Sequence, residues 1–403
     1  MNASRLLPVL VLGLLSAIGP LAVDMYLPAL PSIAQLLGAD DGEVQMSLTA
    51  FLAAVAVSQL AYGPASDRFG RRLPLAAGLL LFVAGSIACA MARQADVLVA
   101  SRFLQGLGAG AAMTIPRAVV RDLHTGAEAA RLMSLLMLLF GISPLLGPLA
   151  GSLVAEAAGW RGIFWFQVGA GVLGLVLVAV LLPETRSVRS TRADAGWRGA
   201  RAAYGRLLRD RHYLGITLVG AFGMAAFFVY LANSAFVLIG HYGLTPRQYS
   251  LVYSVNALSF FGVAQLTGPL SRLVGLARTV RLAATGFTVM LGALLVLATA
   301  GVDHLAVMGA FLFVAFGCLG LMIPGTAVLA LEAHGPIAGT ASALMATVQL
   351  AIGALVMGVT GLLLDGTAFP MISGITFCAM VSLAFARLSL GPRRPAMARA
   401  PGA

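Results

Sequence analysis

Apolar residues fill this chain in long unbroken blocks, and the polar positions collect in short stretches between them. A helix needs about 20 apolar residues to cross a bilayer. Twelve runs meet that length and predict twelve transmembrane helices, at 6–30, 45–64, 73–92, 97–119, 131–155, 162–182, 213–239, 249–270, 279–300, 305–329, 338–363 and 368–388. The longest polar break, Pro183 to His212, holds eight arginines and divides six runs from six. The pattern predicts an all-α membrane protein of two six-helix bundles, 1–182 and 213–388, with a cytoplasmic arginine-rich linker at 183–212 and a cytoplasmic tail at 389–403. Gly63-Pro64-Ala65-Ser66 closes the second run and Gly268-Pro269-Leu270-Ser271 closes the eighth, a weak internal repeat that supports two related halves.

Composition agrees. The 403 residues are 60% hydrophobic and 10% charged, with a mean hydropathy of +0.94, whereas soluble domains carry about 25% charged residues. The net charge of +11 would suit nucleic acid, but its placement assigns it to topology. One set of loops and ends holds Arg5, Arg68, Arg71, Arg72, Arg117, Arg121, Arg131, the run from Arg186 to Arg211, Arg272, Arg278, Arg281 and the C-terminal arginines; the other holds only Arg93, Arg161 and Arg247. The alternation predicts that both termini are cytoplasmic. The apolar N-terminus reads as an uncleaved first helix, because its run is too long for a signal peptide and similar runs follow it.

Every basic residue other than histidine is arginine, so a phosphate-binding loop ending in lysine, a Schiff-base lysine and a Ser-x-x-Lys nucleophile are all excluded. Cys89, Cys318 and Cys378 lie far apart inside apolar runs and read as small buried hydrophobes. The five histidines fall at loops or run ends, without metal-ligand spacing. An intramembrane aspartyl protease needs two aspartates within spans, and only Asp24 lies in one; an enzyme is not expected, nor any metal or cofactor.

Asp24 interrupts the first run, with Pro20, Pro28 and Pro31 around it. An aspartate at a membrane-helix centre costs about 2.5–3.5 kcal/mol on insertion scales, so such a group marks a pathway or proton site. In the fourth run Arg102 and Gln105 project from one helical face, and Gly106, Gly108 and Gly110 offer a close packing surface. In the fifth, Pro144 and Pro148 predict a kink, and Gly147 and Gly151 a close helix contact.

These stretches carry a family resemblance. Gly63-Pro64-Ala65-Ser66-Asp67-Arg68-Phe69-Gly70-Arg71-Arg72 resembles the cytoplasmic loop signature of the major facilitator superfamily, Gly-x-x-x-Asp-Arg-x-Gly-Arg-Arg/Lys. Asp67 can cap the following turn and pair with Arg71, Gly70 permits a tight return, and Asp122 is a third member of the charge network this implies. Arg102-Phe103-Leu104-Gln105-Gly106 resembles the fourth-helix motif of that superfamily, which is tied to proton transfer. Gly141-Ile142-Ser143-Pro144-Leu145-Leu146-Gly147-Pro148-Leu149-Ala150-Gly151 resembles the antiporter motif Gly-x-x-x-Gly-Pro-x-x-Gly, with Ser143 where the first glycine belongs and Ala150 where the second of two adjacent glycines is usual. Asp24-Met25-Tyr26-Leu27-Pro28-Ala29-Leu30-Pro31, Arg117 to Asp122, Trp160 to Phe164 and Pro183-Glu184-Thr185 are similar to the bicyclomycin/chloramphenicol resistance (Bcr/CflA) subfamily of drug:proton antiporters.

The resemblance covers the whole chain, with its specific motifs in the first half. It implies a multidrug efflux transporter of the bacterial inner membrane, multi-pass and monomeric, that exchanges small hydrophobic drugs for protons by alternating access. Export of an endogenous metabolite, a sugar or a siderophore, is the second reading. Asp24 and Arg102 are then the proton-coupling pair, and Ser16 stands where some relatives have a second acid, which points to a single-carboxylate mechanism. With the first, fourth, seventh and tenth helices around the cavity, Tyr26, Gln105, Tyr230, Asn233 and Phe236 are its expected lining.

Overall fold

A computed structural model describes residues 3–123, 126–182, 184, 203–334 and 337–390. Most of the expected linker (183–212) and nearly all of the expected tail (389–403) therefore lie outside the described residues. The regular elements among the described residues are helices: α1 (Ala3–Asp24), α2 (Leu30–Leu37), α3 (Asp41–Phe69), α4 (Arg72–Met91), α5 (Ala95–Leu123), α6 (Gly126–Leu181), α7 (Arg211–Ala235), α8 (Pro246–Ala264), α9 (Thr267–Val274), α10 (Leu276–Thr299), α11 (Leu305–Glu332), α12 (Ala338–Leu362) and α13 (Phe369–Ser389).

These elements resolve into twelve membrane passes. α1 and α2 form one broken span, and α8 and α9 another, bent by 43°. α6 is 56 residues long and holds two passes, because Gly159 turns the chain with a φ of +70°, a conformation open to glycine and strained for other residues. α5 carries Arg102 and Gln105 in its first half, and Asp96, Arg117, Arg121 and Asp122 towards its ends. Polar side chains mark several ends. The Asp210 carboxylate accepts from the N–H groups of His212 and Tyr213 at the start of α7, and Thr245 and Gln248 cap α8 reciprocally.

Many large apolar side chains stay exposed, among them Leu146, Val180, Leu273 and Leu388, as lipid-facing positions require. The two halves meet through α3 against α12 and α6 against α8. Gln45 Nε2 donates to Met357 O at 2.8 Å, a Cβ at Gly42 would lie 2.6 Å from Gly361 O, and Arg247 pairs with Glu156. Ser254 Oγ donates to Leu145 O at 2.8 Å near the middle of both helices. These contacts run from mid-membrane to the face opposite the linker.

Candidate functional site

α1 stops at Asp24, the chain turns through Met25 and Tyr26, and one 3-10 turn (Leu27–Ala29) leads into α2. Pro28 and Pro31 supply no N–H, so the carbonyls of Asp24 and Leu27 lose their helical donors, which favours a break here. Tyr26 N bonds Val23 O at 3.1 Å, which leaves the Ala22 carbonyl without its helical donor. Two side chains replace it: Arg102 Nη1 donates to Ala22 O at 3.2 Å and Gln167 Nε2 at 3.5 Å.

Arg102 is wholly buried and packs among aromatic rings. Its guanidinium carbon sits 4.3 Å from the Phe51 ring centroid, 4.6 Å from Tyr26 and 5.9 Å from Phe164. Nη1 also donates to Gln105 Oε1, and Gln105 Nε2 donates to Ser86 Oγ at 2.7 Å and to Gln167 Oε1 at 2.6 Å. Nε and Nη2 have no acceptor among the described residues. Ring faces and the carbonyl end of α1 offset the charge, each being an environment that favours a cation.

Asp24 is 3% exposed, and its Oδ2 accepts from Ser143 Oγ at 2.7 Å. Ser143, Gly147 and Gly151 are spaced by four on α6 and share one face. A Cβ at Gly147 would stand 2.5 Å from the Asp24 Cβ, and one at Gly151 would collide with the Met25 carbonyl. On its other side α6 faces the second half, where Gly141 lies against Phe261 and Leu145 O accepts from Ser254. Pro144 and Pro148 are buried within the same helix.

The expected residues therefore come together only in part. No ion pair joins Asp24 to Arg102 among the described residues: the carboxylate is held by Ser143, and the guanidinium grips the backbone two residues upstream. Tyr26 is buried with its hydroxyl 2.8 Å from Ser47 Oγ, and Gln105 is enclosed in the amide network. Ser16 Oγ donates to Leu12 O at 2.8 Å, within its own helix.

In the second half Tyr230, Asn233 and Phe236 are also buried. Asn233 Nδ2 donates to Val229 O at 2.7 Å and to Thr360 Oγ1 at 3.3 Å. Tyr230 stacks on Tyr253 at 5.7 Å between centroids, meets Phe316 at 4.8 Å, and its hydroxyl accepts from Asn256 Nδ2 at 2.8 Å. Tyr249 and Tyr253 lie within electrostatic reach of Asp24, and the Tyr253 hydroxyl has no hydrogen-bond partner among the described residues.

At the linker face the loop signature folds as a charge network. Arg71 Nη1 donates to Asp67 Oδ1 at 2.6 Å, and Arg71 Nε donates to Asp122 Oδ2 at 2.7 Å. Asp67 thus pairs with Arg71, and no side chain caps α4 from its N-cap position. Instead Glu184 accepts from Arg71 N at 2.8 Å and Arg72 N at 3.2 Å, so the chain leaving the sixth pass caps α4. Gly70 has a φ of +87°, and a Cβ there would sit 2.5 Å from Glu184 Oε2. Arg72 Nη2 donates to Ala179 O at 2.8 Å, Arg68 packs over Phe69, and a Cβ at Gly63 would meet open space among the described residues.

Sequence reasoning passed over Gln167 and Tyr253, named Glu184 only within a subfamily stretch, and noted Ser143 only as a departure from a motif. Gln167 carried the signal that identified Gln105, an amide inside an apolar run. Tyr253 carried none, since tyrosines inside spans are ordinary core residues.

The model of the Major Facilitator Superfamily matches residues 12–358. An uncharacterized MFS-type transporter of Bacillus subtilis (strain 168) is 35% identical over 94% of this chain and 95% of its own length. A bicyclomycin resistance protein homolog of Haemophilus influenzae is 28% identical over 93% of this chain and 94% of its own. Among solved structures a D-xylose-proton symporter superposes with a TM-score of 0.73 at 16% identity, covering 96% of this chain and 97% of that one. With the family model spanning most of its length and both halves folded as six passes, this chain belongs to the Major Facilitator Superfamily of membrane transporters.

Proposed function

We propose that this transporter exports small hydrophobic drugs in exchange for protons, in the manner of the bicyclomycin/chloramphenicol resistance subfamily. The observation that carries the reading is Asp24: a carboxylate buried at the break of the first span, with no cationic partner, pressed directly against the antiporter-motif helix α6. Moving a carboxyl between a buried and a watery environment changes the cost of its charge, which is the property a proton carrier uses. Asp24 loads a proton on one side of the membrane and gives it up on the other as the two halves rock about the contacts of α3 with α12 and α6 with α8. Arg102 acts on it through the backbone, by fixing the Ala22 carbonyl and so the end of α1. Tyr230, Phe236 and the aromatic neighbours Tyr253 and Phe316, buried in this conformation, supply the apolar wall that a drug meets on the opposite half once the halves move, with Asn233 the polar group beside them.

The protein sits in the bacterial inner membrane as a monomer, and the arginine distribution supports cytoplasmic termini at both ends. The contacts between the halves then lie on the outer side, and this conformation is the one closed to the outside. The name of the Haemophilus relative supports an antibiotic substrate.

Expression in an efflux-deficient host, challenged with chloramphenicol, florfenicol and bicyclomycin with and without a proton uncoupler, tests the function. Raised tolerance that the uncoupler abolishes is expected. Asp24→Asn should remove both the tolerance and drug-driven proton movement in inverted vesicles. Undiminished exchange by that variant overturns the reading.

A further inference from the structure

The antiporter pattern has a glycine where this chain has Ser143, and that residue is the hydrogen-bond partner of Asp24. Three features make the contact more than incidental. Ser143 is buried, so no bulk water competes for its hydroxyl. Gly147 and Gly151, on the same face of α6, let the helix come near enough for a side chain as short as serine to reach the carboxylate. Ser143 also lies two residues from Leu145, whose carbonyl accepts from Ser254 of the other half, so the segment that touches Asp24 also touches the part that moves.

Among the described residues no other polar side chain facing Asp24 hydrogen-bonds to it. On α5 Arg102 is committed to Ala22 O and Gln105; on α8 Tyr249 is bonded to Ser234, and Tyr253 has no partner and lies within electrostatic reach; Tyr230 of α7 stands behind Tyr253 and is bonded to Asn256. On α6 itself the neighbours along that face are glycines.

We propose that Ser143 is a positioning residue for the proton carried by Asp24, its hydroxyl donating to the ionised carboxylate and turning to accept from the neutral acid. The inference rests on the reading of Asp24 as the proton carrier. A hydroxyl serves both states without moving the backbone, because it is donor and acceptor at one atom. A hydrogen bond to the charged form is the stronger of the two, so the serine favours ionisation, and its removal shifts protonation of Asp24 to higher pH by about one unit.

The test uses the full-length protein in lipid nanodiscs and a carbodiimide, which reacts with buried carboxyls in their protonated form. Labelling of Asp24 is followed by mass spectrometry across pH, with Asp24→Asn as the blank and thermal melting as the check on folding. Ser143→Ala and Ser143→Gly should move the labelling midpoint up by about one pH unit, and Ser143→Thr should keep the original midpoint. An unshifted midpoint in Ser143→Ala overturns the proposal. An equal shift in Ser143→Thr also overturns it, because packing would then be the cause. If Asp24 is not the carrier, Asp24→Asn vesicles still exchange protons for drug, a result separate from the labelling.

Discussion

Gly147 of α6 lies so close to Asp24 of α1 that a methyl group added there would stand 2.5 Å from the Asp24 Cβ. No flexible side-chain end is available to yield, since the neighbour is the root of the carboxylate. Gly147→Ala must push α6 off α1, breaking the Ser143 contact and overpacking the interface at a cost of about 1–3 kcal/mol. We expect a lowered melting temperature together with loss of proton-coupled efflux. Gly141→Ala is the matched control: its added Cβ would meet Phe261 at 3.4 Å, an ordinary contact, and both properties should stay near the parent. Melting curves and vesicle transport on the two variants check the difference.

Arg102 yields a different expectation because it is bound to backbone and rings and not to a carboxylate. Arg102→Ala leaves Ala22 O with only the long Gln167 contact and Gln105 Oε1 without its donor, each a loss of about 1–3 kcal/mol. Arg102→Lys keeps the charge but loses the planar group stacked between Phe51 and Tyr26, so it should recover little. A double-mutant cycle with Asp24→Asn separates this from an ion pair. Breaking a buried pair costs about 3–5 kcal/mol, and the coupling measured here should fall well below that.

The capping of α4 by Glu184 makes the linker face testable without touching the loop signature. Glu184→Ala removes the acceptor for Arg71 N and Arg72 N and should cost about 0.5–2 kcal/mol, with transport slowed several-fold as the Asp67–Arg71–Asp122 network loses its anchor. Glu184→Gln retains one carbonyl acceptor and should fall between. Thermal melts and initial efflux rates of the two variants give the order directly.

The passes were legible because hydrophobic length is a strong signal in a membrane chain. The expected break between the fifth and sixth passes holds the turn, which a single glycine, Gly159, makes within a short polar dip. The first span bends where the prolines around Asp24 suggest, and it extends past the expected end at 30 to Leu37 through the short helix α2. In the site, residue types announced Asp24, Arg102 and Gln105, since polar groups in lipid are conspicuous. Pairing was not legible: opposite charges on neighbouring helices suggest a bridge, and only the packing shows Tyr26 and its ring neighbours filling the space around the guanidinium. The departure at Ser143 looked like a weakened motif and proved to be the residue that touches the carboxylate.

At the face opposite the linker, Asp303 between α10 and α11 accepts from the Tyr242 hydroxyl and from His241, tying that loop to the end of α7. The Tyr242 hydrogen bond, with His241 as a second contributor, holds the Asp303 carboxyl below its ordinary range. A carboxyl held lower in the folded state than in the unfolded one contributes its stability fully above the unfolded value of about 3.9, and that contribution disappears as pH falls through the folded value. Asp303 is half-exposed, so solvent screening keeps the effect small. Melting temperature should therefore fall with acidification below about pH 4 more steeply in the parent than in Asp303→Asn, which keeps an acceptor for Tyr242 and carries no charge to lose. Parallel melting curves across that window would show that the tie contributes nothing, whereas convergence of the two proteins at the acid end is the expected result.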